Sequence, residues 1–366
     1  MSEKIAVIGS GSWGVALALL LNRNGHEVKL WSYDKGEADI INNEHRCKFL
    51  SDVSIPDSIV CYTDFGTVLQ DAKIILIVTP SSAIRETINE MKPFVTDKQV
   101  FVLCSKGMEK ETEKLYTDVI KEILPNNSVA ALSGPSHAEE VSQFIPTAVV
   151  IAGENEETAS MLQDVFMNDK FRVYTNDDIK GVEMGGSLKN IIALACGVAT
   201  GLGYGDNTVA ALITRGIAEI ARLGVETGAK RQTFYGLTGV GDLFVTCSSM
   251  HSRNRRCGIL IGQGKKVEDA VKEVGMVVEG IYAVDGAYSL ARKHSVSTPI
   301  IDEMYDIIHN GKTPKEATAN LMNRGKKAEN LWFSALFSLC YSSWKLSRVE
   351  RLKIFVFLVV ISIKIP

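Results

Sequence analysis

Lys4-Ile5-Ala6-Val7-Ile8-Gly9-Ser10-Gly11-Ser12-Trp13-Gly14 stands at the start of the sequence and runs into Val15-Ala16-Leu17-Ala18-Leu19-Leu20-Leu21. The apolar run from Ile5 to Ile8 has the length and β-branching of a buried strand, and the residues after Gly14 have helical composition. Between them lie three glycines in G-x-G-x-x-G spacing. Each glycine has its own physical task. Gly9 permits a tight turn, Gly11 lets the backbone approach a pyrophosphate, and Gly14 lets the helix pack close to the sheet. The helix N-terminus adds unpaired N–H groups and the positive end of a dipole. The same spacing also occurs in ligand-free glycine turns. Its position after a strand and before a helix favours dinucleotide binding.

A chain of 366 residues can hold two domains with substantial cores. Its composition, 46% hydrophobic and 23% charged without a low-complexity tract, is ordinary for a globular protein. A formal net charge of −3 gives no sign of a nucleic-acid partner. The seven cysteines show no C-x-x-C pair and no His/Cys cluster at metal spacing, which fits a reducing cytoplasm better than secretion. Glu3 and the glycine loop interrupt any apolar leader, so no signal peptide is expected. No transmembrane span is expected in residues 1–330.

After the first helix, Asn24-Gly25-His26 makes a turn and Glu27-Val28-Lys29-Leu30-Trp31 reads as a second strand. In this kind of fold, Ser32-Tyr33-Asp34 falls where the adenosine ribose is met. Asp34 has two equal readings, as acceptor for ribose hydroxyls or as a helix N-cap. Lys35 is the only cation between Ser32 and Gly36, so NAD and NADP both stay open as cofactors. Further strands are expected at residues 58–62, 72–78, 100–103, 129–132, 147–152 and 171–175. Helical patterns fill the gaps, at residues 84–91, 115–123 and 157–166. This alternation predicts an α/β fold with a doubly wound, mostly parallel, Rossmann-type sheet. Ligands of such sheets lie outside the carboxyl ends of the strands, where Thr79-Pro80, Lys106-Gly107 and Gly134-Pro135-Ser136 fall.

Strand signals stop near residue 178. Residues 182–199 and 208–224 read as long, apolar helices rich in small residues, which suggests tight packing. Shorter helices follow at residues 267–274, 281–292, 300–309 and 314–322. The expected organisation is a dinucleotide-binding domain over residues 1–180 and an all-helical substrate domain over residues 181–330, with a cleft between. Residues 331–366 differ, with four basic residues and then an apolar run at 354–363 that is too short to span a membrane. This tail reads as a non-native or out-of-frame end or an added helix, in preference to a membrane-surface anchor.

Three segments of the helical half carry candidate chemistry. The first is Glu183-Met184-Gly185-Gly186-Ser187-Leu188-Lys189-Asn190, where a lysine interrupts an apolar, glycine-rich helix. The plain alternative is a surface lysine on a wet face. A buried lysine would have a lowered pKa and could exchange protons near neutrality. The second is Gly236-Leu237-Thr238-Gly239-Val240-Gly241-Asp242-Leu243-Phe244, where Asp242 either meets another element closely or only caps a helix. The third, Ser252-Arg253-Asn254-Arg255-Arg256, suits a phosphate monoester, although such runs are more often solvated basic faces. Of the six histidines, His137 is the one candidate for catalysis, with a packed or exposed role the commoner outcome. Met184 and Phe244 read as core.

Together these motifs resemble the bacterial NAD(P)-dependent glycerol-3-phosphate dehydrogenase family, over about residues 4–330. The resemblance rests on the glycine loop, Ser105-Lys106-Gly107, the run from Ser133 to Glu140, Gly185–Asn190, residues 207–219, Gly236–Leu243, Ser252-Arg253-Asn254 and Val277-Val278-Glu279-Gly280. It implies that the cofactor, NAD or NADP, is lined by Gly9, Gly11, Ser12, Trp13, Gly14, Tyr33, Lys106, Ala138, Arg253, Val277 and Glu279. It implies that Lys106, Gly134, Ser136, Lys189, Asp242, Ser252, Arg253 and Asn254 surround a small phosphate substrate. Lys189 matches the family's proton donor and acceptor, with Lys106 and Asp242 beside it. Relatives often carry arginine or histidine where this chain has Tyr33, which weakens any claim for NADP preference.

The implied reaction is reduction of dihydroxyacetone phosphate to sn-glycerol 3-phosphate for phospholipid synthesis. Lysines supply the electrophilic charge, so no metal is expected. A possible homodimer stays open. The alternatives are another two-domain dehydrogenase of the β-hydroxy-acid or ketopantoate reductase type, or a non-enzymatic NAD(P)H sensor. The Ser252–Asn254 cluster speaks against the first of these. The presence of Lys106, Lys189 and Asp242 speaks against the second.

Overall fold

Eight strands form one sheet: β1 (Lys4–Ile8), β2 (Glu27–Trp31), β3 (Val60–Tyr62), β4 (Ile74–Ile77), β5 (Val100–Leu103), β6 (Ser128–Ser133), β7 (Thr147–Gly153) and β8 (Phe171–Asn176). The computed structural model describes residues 2–50, 53–110, 112–326 and 328–329. The tail readings for residues 331–366 therefore lie outside the described residues. Strand order is β3-β2-β1-β4-β5-β6-β7-β8. All neighbours are parallel except β6 and β7, which pair antiparallel with Ala130 opposite Gly153. β1 has β2 on one side and β4 on the other. The order of connection reverses there, and this is where a crevice opens at the strands' carboxyl ends. The predicted strands are all present, with ends shifted by at most two residues.

The sheet is covered on both faces, which explains why its strands are apolar throughout rather than alternating. All four residues of β4 are fully buried. One face packs on the helix Ser12–Arg23 with Leu17, Leu20 and Leu21 in the core. The other packs on Ile84–Met91 and Tyr116–Ile123 through Ile84, Ile88 and Ile120.

The sheet ends at Asn176, and the helix Ile179–Gly201 begins three residues later. Asp178 starts it, accepting from Gly181 N through Oδ1 and from Thr233 Oγ1 through Oδ2. Every residue from Gly181 to Ala199 is buried. The helices Asp206–Glu226, Asp242–Ser248, Arg253–Gly262 and Glu279–Lys293 enclose it. Among the described residues it is the one helix long and apolar enough to cross a membrane, and the protein itself encloses it. A helix apolar all round has no wet face to offer. The lysine at position 189 is therefore buried whichever way the helix turns.

Helix Arg253–Gly262 lies unusually close to this central helix. A Cβ placed on Gly197 would stand 2.2 Å from Arg255 O, and one on Gly258 2.1 Å from Leu194 O. One turn further on, Gly201 faces Ile259 O and Gly262 faces Val198 O, each at 2.2 Å from a Cβ position. Four glycines thus remove the side-chain layer and let the backbones touch. The described residues up to Leu321 form one compact unit.

Candidate active site

The glycine loop crosses the end of β4. Gly9 has φ +127°, and a Cβ there would lie 2.7 Å from Val78 O. A Cβ on Gly14 would lie 1.9 Å from Gly9 O, so the helix can start only where this residue has no side chain. At Gly11 a Cβ would meet nothing within 4 Å. Gly11 is also the N-cap of Ser12–Arg23 and supplies no side-chain cap bond. The first N–H groups of this helix therefore face an open cradle beside bare backbone, which fits a pyrophosphate. Trp13, half-buried, packs on the core below the loop.

The stretch beyond β2 is polar. Asp34 caps Lys35–Glu44, its Oδ1 accepting from Gly36 N at 2.7 Å, so the capping reading describes the structure. Tyr33 is 90% exposed. Ser10 inside the loop is hydrogen-bonded to Ser32 and donates to Glu37 Oε2 at 2.9 Å.

At the far end of the crevice three charged side chains meet. Lys106, beyond β5, donates to Asp242 Oδ2 at 2.7 Å and to Gly134 O at 3.3 Å. Lys189, in the central helix, donates to Asp242 Oδ1 at 2.5 Å and to Thr246 Oγ1 at 2.6 Å. Asp242 thus does more than start a helix. Its carboxylate, side chain 2% exposed, is shared by two ammonium groups. Burial opposes its charge, but the two lysines hold its pKa below the usual carboxylate range. For Lys189 burial dominates and pushes its pKa down to about 8, with Lys106 adding to the push and Asp242 resisting it.

Local backbone explains the convergence. A single π-turn, Leu237–Gly241, leads into Asp242–Ser248 and swings Asp242 inward. Gly186, at the middle of the central helix, leaves room for Ser133, since a Cβ there would lie 2.8 Å from Ser133 Oγ, and the Lys106 stem passes beside it with Cγ at 3.4 Å. Ser187 Oγ donates to Gly107 O at 2.8 Å and ties the Lys106 loop to the same helix.

Around this cluster the other expected residues fall in two groups. Gly134, at φ +145°, turns the chain after β6, and its carbonyl also accepts from Ser136 Oγ at 3.0 Å. His137 follows, and Ala138 begins the short helix Ala138–Ser142. On the opposite side Ser252 caps Arg253–Gly262 by accepting from Arg255 N at 3.2 Å. Arg253 is enclosed enough that burial draws its pKa down, and Glu279 and Glu139 are the acidic charges acting on it. Asn254 is committed within the protein, donating to Asn190 Oδ1 at 3.0 Å and accepting from Gly280 N at 2.8 Å. Val277 is half-buried just before Glu279–Lys293. Glu279 accepts from Ser81 Oγ at 2.5 Å and Ser81 N at 3.3 Å, which joins the helical half to the loop after β4.

Phe244, read as core, is 60% exposed: Asp242–Ser248 is amphipathic and turns Leu243 and Cys247 inward instead. Met184 is buried as expected. The sequence reading passed over Thr246, whose signal was its place one helical turn after Asp242. It also passed over Ser81, for which local sequence carried none.

A glycine cradle over a mostly parallel sheet, together with a buried and a half-buried lysine on one carboxylate, defines a dinucleotide-dependent oxidoreductase. Models of the NAD-dependent glycerol-3-phosphate dehydrogenase N-terminus and C-terminus match residues 4–159 and 178–319. The chain belongs to that family. A Fusobacterium nucleatum protein named glycerol-3-phosphate dehydrogenase [NAD(P)+] is 51% identical over 330 residues, covering 89% of this chain and 98% of the relative. A Thermoanaerobacter relative of the same name is 51% identical over 327 residues, 89% of this chain and 98% of its own length. The crystal structure of glycerol-3-phosphate dehydrogenase from Coxiella burnetii superposes with TM-score 0.86 at 39% identity, covering 88% of this chain and 99% of that one.

Proposed function

We infer that this chain catalyses the NAD(P)H-dependent, reversible reduction of dihydroxyacetone phosphate to sn-glycerol 3-phosphate, a precursor of glycerophospholipids. The observation that carries the reading is the pair of lysines on Asp242, Lys106 at 2.7 Å and Lys189 at 2.5 Å, beside a cradle that fits a dinucleotide. The nicotinamide, when bound, supplies the hydride to the keto carbon. Negative charge then grows on the carbonyl oxygen. Lys189 delivers a proton to that oxygen, and Lys106 holds a second positive charge against it. Asp242 sets both ammonium groups and leaves the cluster with one net positive charge, so it attracts an oxyanion without excess repulsion. Arg253 and the first N–H groups of its helix hold the phosphate, and Ser252 and Asn254 set their positions. Gly134 and Ser136 close the opposite wall. Gly9, Gly11, Ser12, Trp13 and Gly14 hold the pyrophosphate side of the cofactor, Tyr33 the adenosine side, and Ala138, Val277 and Glu279 the rest of its path. A cytoplasmic setting supplies both substrates.

The direct test is an assay of dihydroxyacetone phosphate reduction with NADH and NADPH in parallel. Turnover with at least one is expected. Turnover of unphosphorylated keto acids instead would overturn the reading. Arg253→Ala is expected to raise KM for dihydroxyacetone phosphate by about a hundredfold, the loss of a charge-assisted contact. An unchanged KM would remove Arg253 from the phosphate site.

A pH dependence follows from the lowered pKa of Lys189, about 8. Reduction needs the protonated lysine, so kcat/KM for reduction should fall as pH rises through that value. Oxidation needs the neutral lysine and should fall on the acid side of it. Profiles in the two directions that move together would exclude Lys189 as the proton carrier.

A further inference from the structure

One polar atom near the cluster has no task in the account above. Nε2 of His137 is withdrawn from water and has no hydrogen-bond partner. Buried polar atoms are nearly always paired, and an orphan at a functional site calls for an explanation. Local structure does not supply one. His137 precedes Ala138–Ser142, and its side chain makes no cap bond there. Its carbonyl does the local work instead, accepting from Val141 N at 3.0 Å.

The ring's surroundings indicate where a partner would come from. His137 follows the Gly134–Ser136 turn, which anchors Lys106 through Gly134 O. The charges acting on it are Lys189, Glu139, Lys106 and Asp242, so it lies within electrostatic reach of the lysine–carboxylate cluster. Its ring lies 5.6 Å from that of His251, tilted by 52°. His251 is exposed and immediately precedes Ser252 and Arg253. The two imidazoles therefore bridge the two walls between which the phosphate is held.

We propose that His137 is a substrate-contacting residue, its Nε2 hydrogen-bonding a phosphate oxygen of the bound triose phosphate once the exposed His251 ring is displaced. Burial and then the charge of Lys189 keep this imidazole neutral in the free enzyme, which lets Nε2 carry a proton to donate without adding a third cation to the cluster. The inference rests on the triose phosphate reading and deepens it. It gives this chain a specificity contact supplied by the sheet half, opposite the Arg253 side.

The test compares wild type, His137→Phe and His137→Gln with saturating NADH. His137→Phe keeps a planar ring and deletes the donor. Its KM for dihydroxyacetone phosphate should rise about tenfold or more, with kcat changed far less. The inhibition constant of inorganic phosphate should rise in parallel. KM for NADH and kcat/KM for unphosphorylated dihydroxyacetone should stay near wild type. His137→Gln, whose amide can still donate, should recover part of the loss. Unchanged KM and phosphate inhibition, or equal losses on the phosphorylated and unphosphorylated substrates, would overturn the proposal. If His137→Phe does not fold, the same comparison with His137→Gln decides: a selective, smaller rise supports the contact, and an equal or absent effect refutes it. A wild-type enzyme inert toward dihydroxyacetone phosphate would remove the underlying reading and the inference with it. Turnover without a His137 effect would remove the inference alone.

Discussion

Lys189→Ala is expected to lower kcat for dihydroxyacetone phosphate reduction by about 10³- to 10⁴-fold while leaving NADH affinity within about twofold. The size follows from what the side chain does at one moment. It gives a proton to an oxygen that is becoming an alkoxide, in a place where water cannot substitute. The variant should still fold. Asp242 would lose one counter-charge but keep Lys106 at 2.7 Å, so no buried carboxylate is left alone. Thr246 would keep its bond to Asp242 O at 2.6 Å. Lys189→Met, which keeps the apolar stem, should be as inactive as the alanine variant. Stopped-flow hydride transfer and NADH fluorescence titration separate the two quantities. Near-normal turnover in either variant would mean that another group carries the proton.

The second large effect is expected at a position without chemistry of its own. Gly258→Ala should destabilise the fold by about 3 kcal/mol or more, and Gly258→Val should prevent accumulation of folded protein. The added Cβ would stand 2.1 Å from Leu194 O and 2.9 Å from Gly197 Cα, which are backbone atoms that cannot rotate away. Relief requires the two helices to separate. One of them carries Lys189 and Asn190, the other Arg253 and Asn254. A shift of about 1 Å between proton donor and phosphate clamp can cost about a hundredfold in rate. The folded fraction of Gly258→Ala should therefore show lowered kcat/KM together with a lowered Tm. Normal activity and normal Tm would show that the seam gives way more easily than its geometry implies.

These two positions also mark what the sequence could and could not disclose. The glycine loop was legible because its motif lies within eleven consecutive residues, from Lys4 to Gly14, although the atom that crowds Gly9, Val78 O, comes from beyond β4. The strands were legible because a sheet covered on both faces demands unbroken apolar runs. Burial of Lys189 was not decidable from periodicity, since its helix is apolar on every side and shows no preferred face. Phe244 failed for a related reason: a seven-residue helix is too short for one aromatic to declare its face. The closing of Lys106 and Lys189 on one carboxylate joins positions far apart in the chain, and only the resemblance brought them together beforehand. Ser81 and the Asn190–Asn254–Gly280 chain of bonds depend on how distant elements pack, and no local pattern announces them, whereas Thr246 lies one helical turn after Asp242.

The three-way contact of Lys106, Asp242 and Lys189 has a consequence for the order in which the chain becomes competent. Its members come from the end of a strand, the middle of the central helix and the start of a later one. The glycine loop, by contrast, draws only on β1, the first turn of the helix after it and the end of β4. The geometry of the glycine loop is therefore set within the sheet half, whereas the proton carrier is in place only once the later helices have docked on the central one.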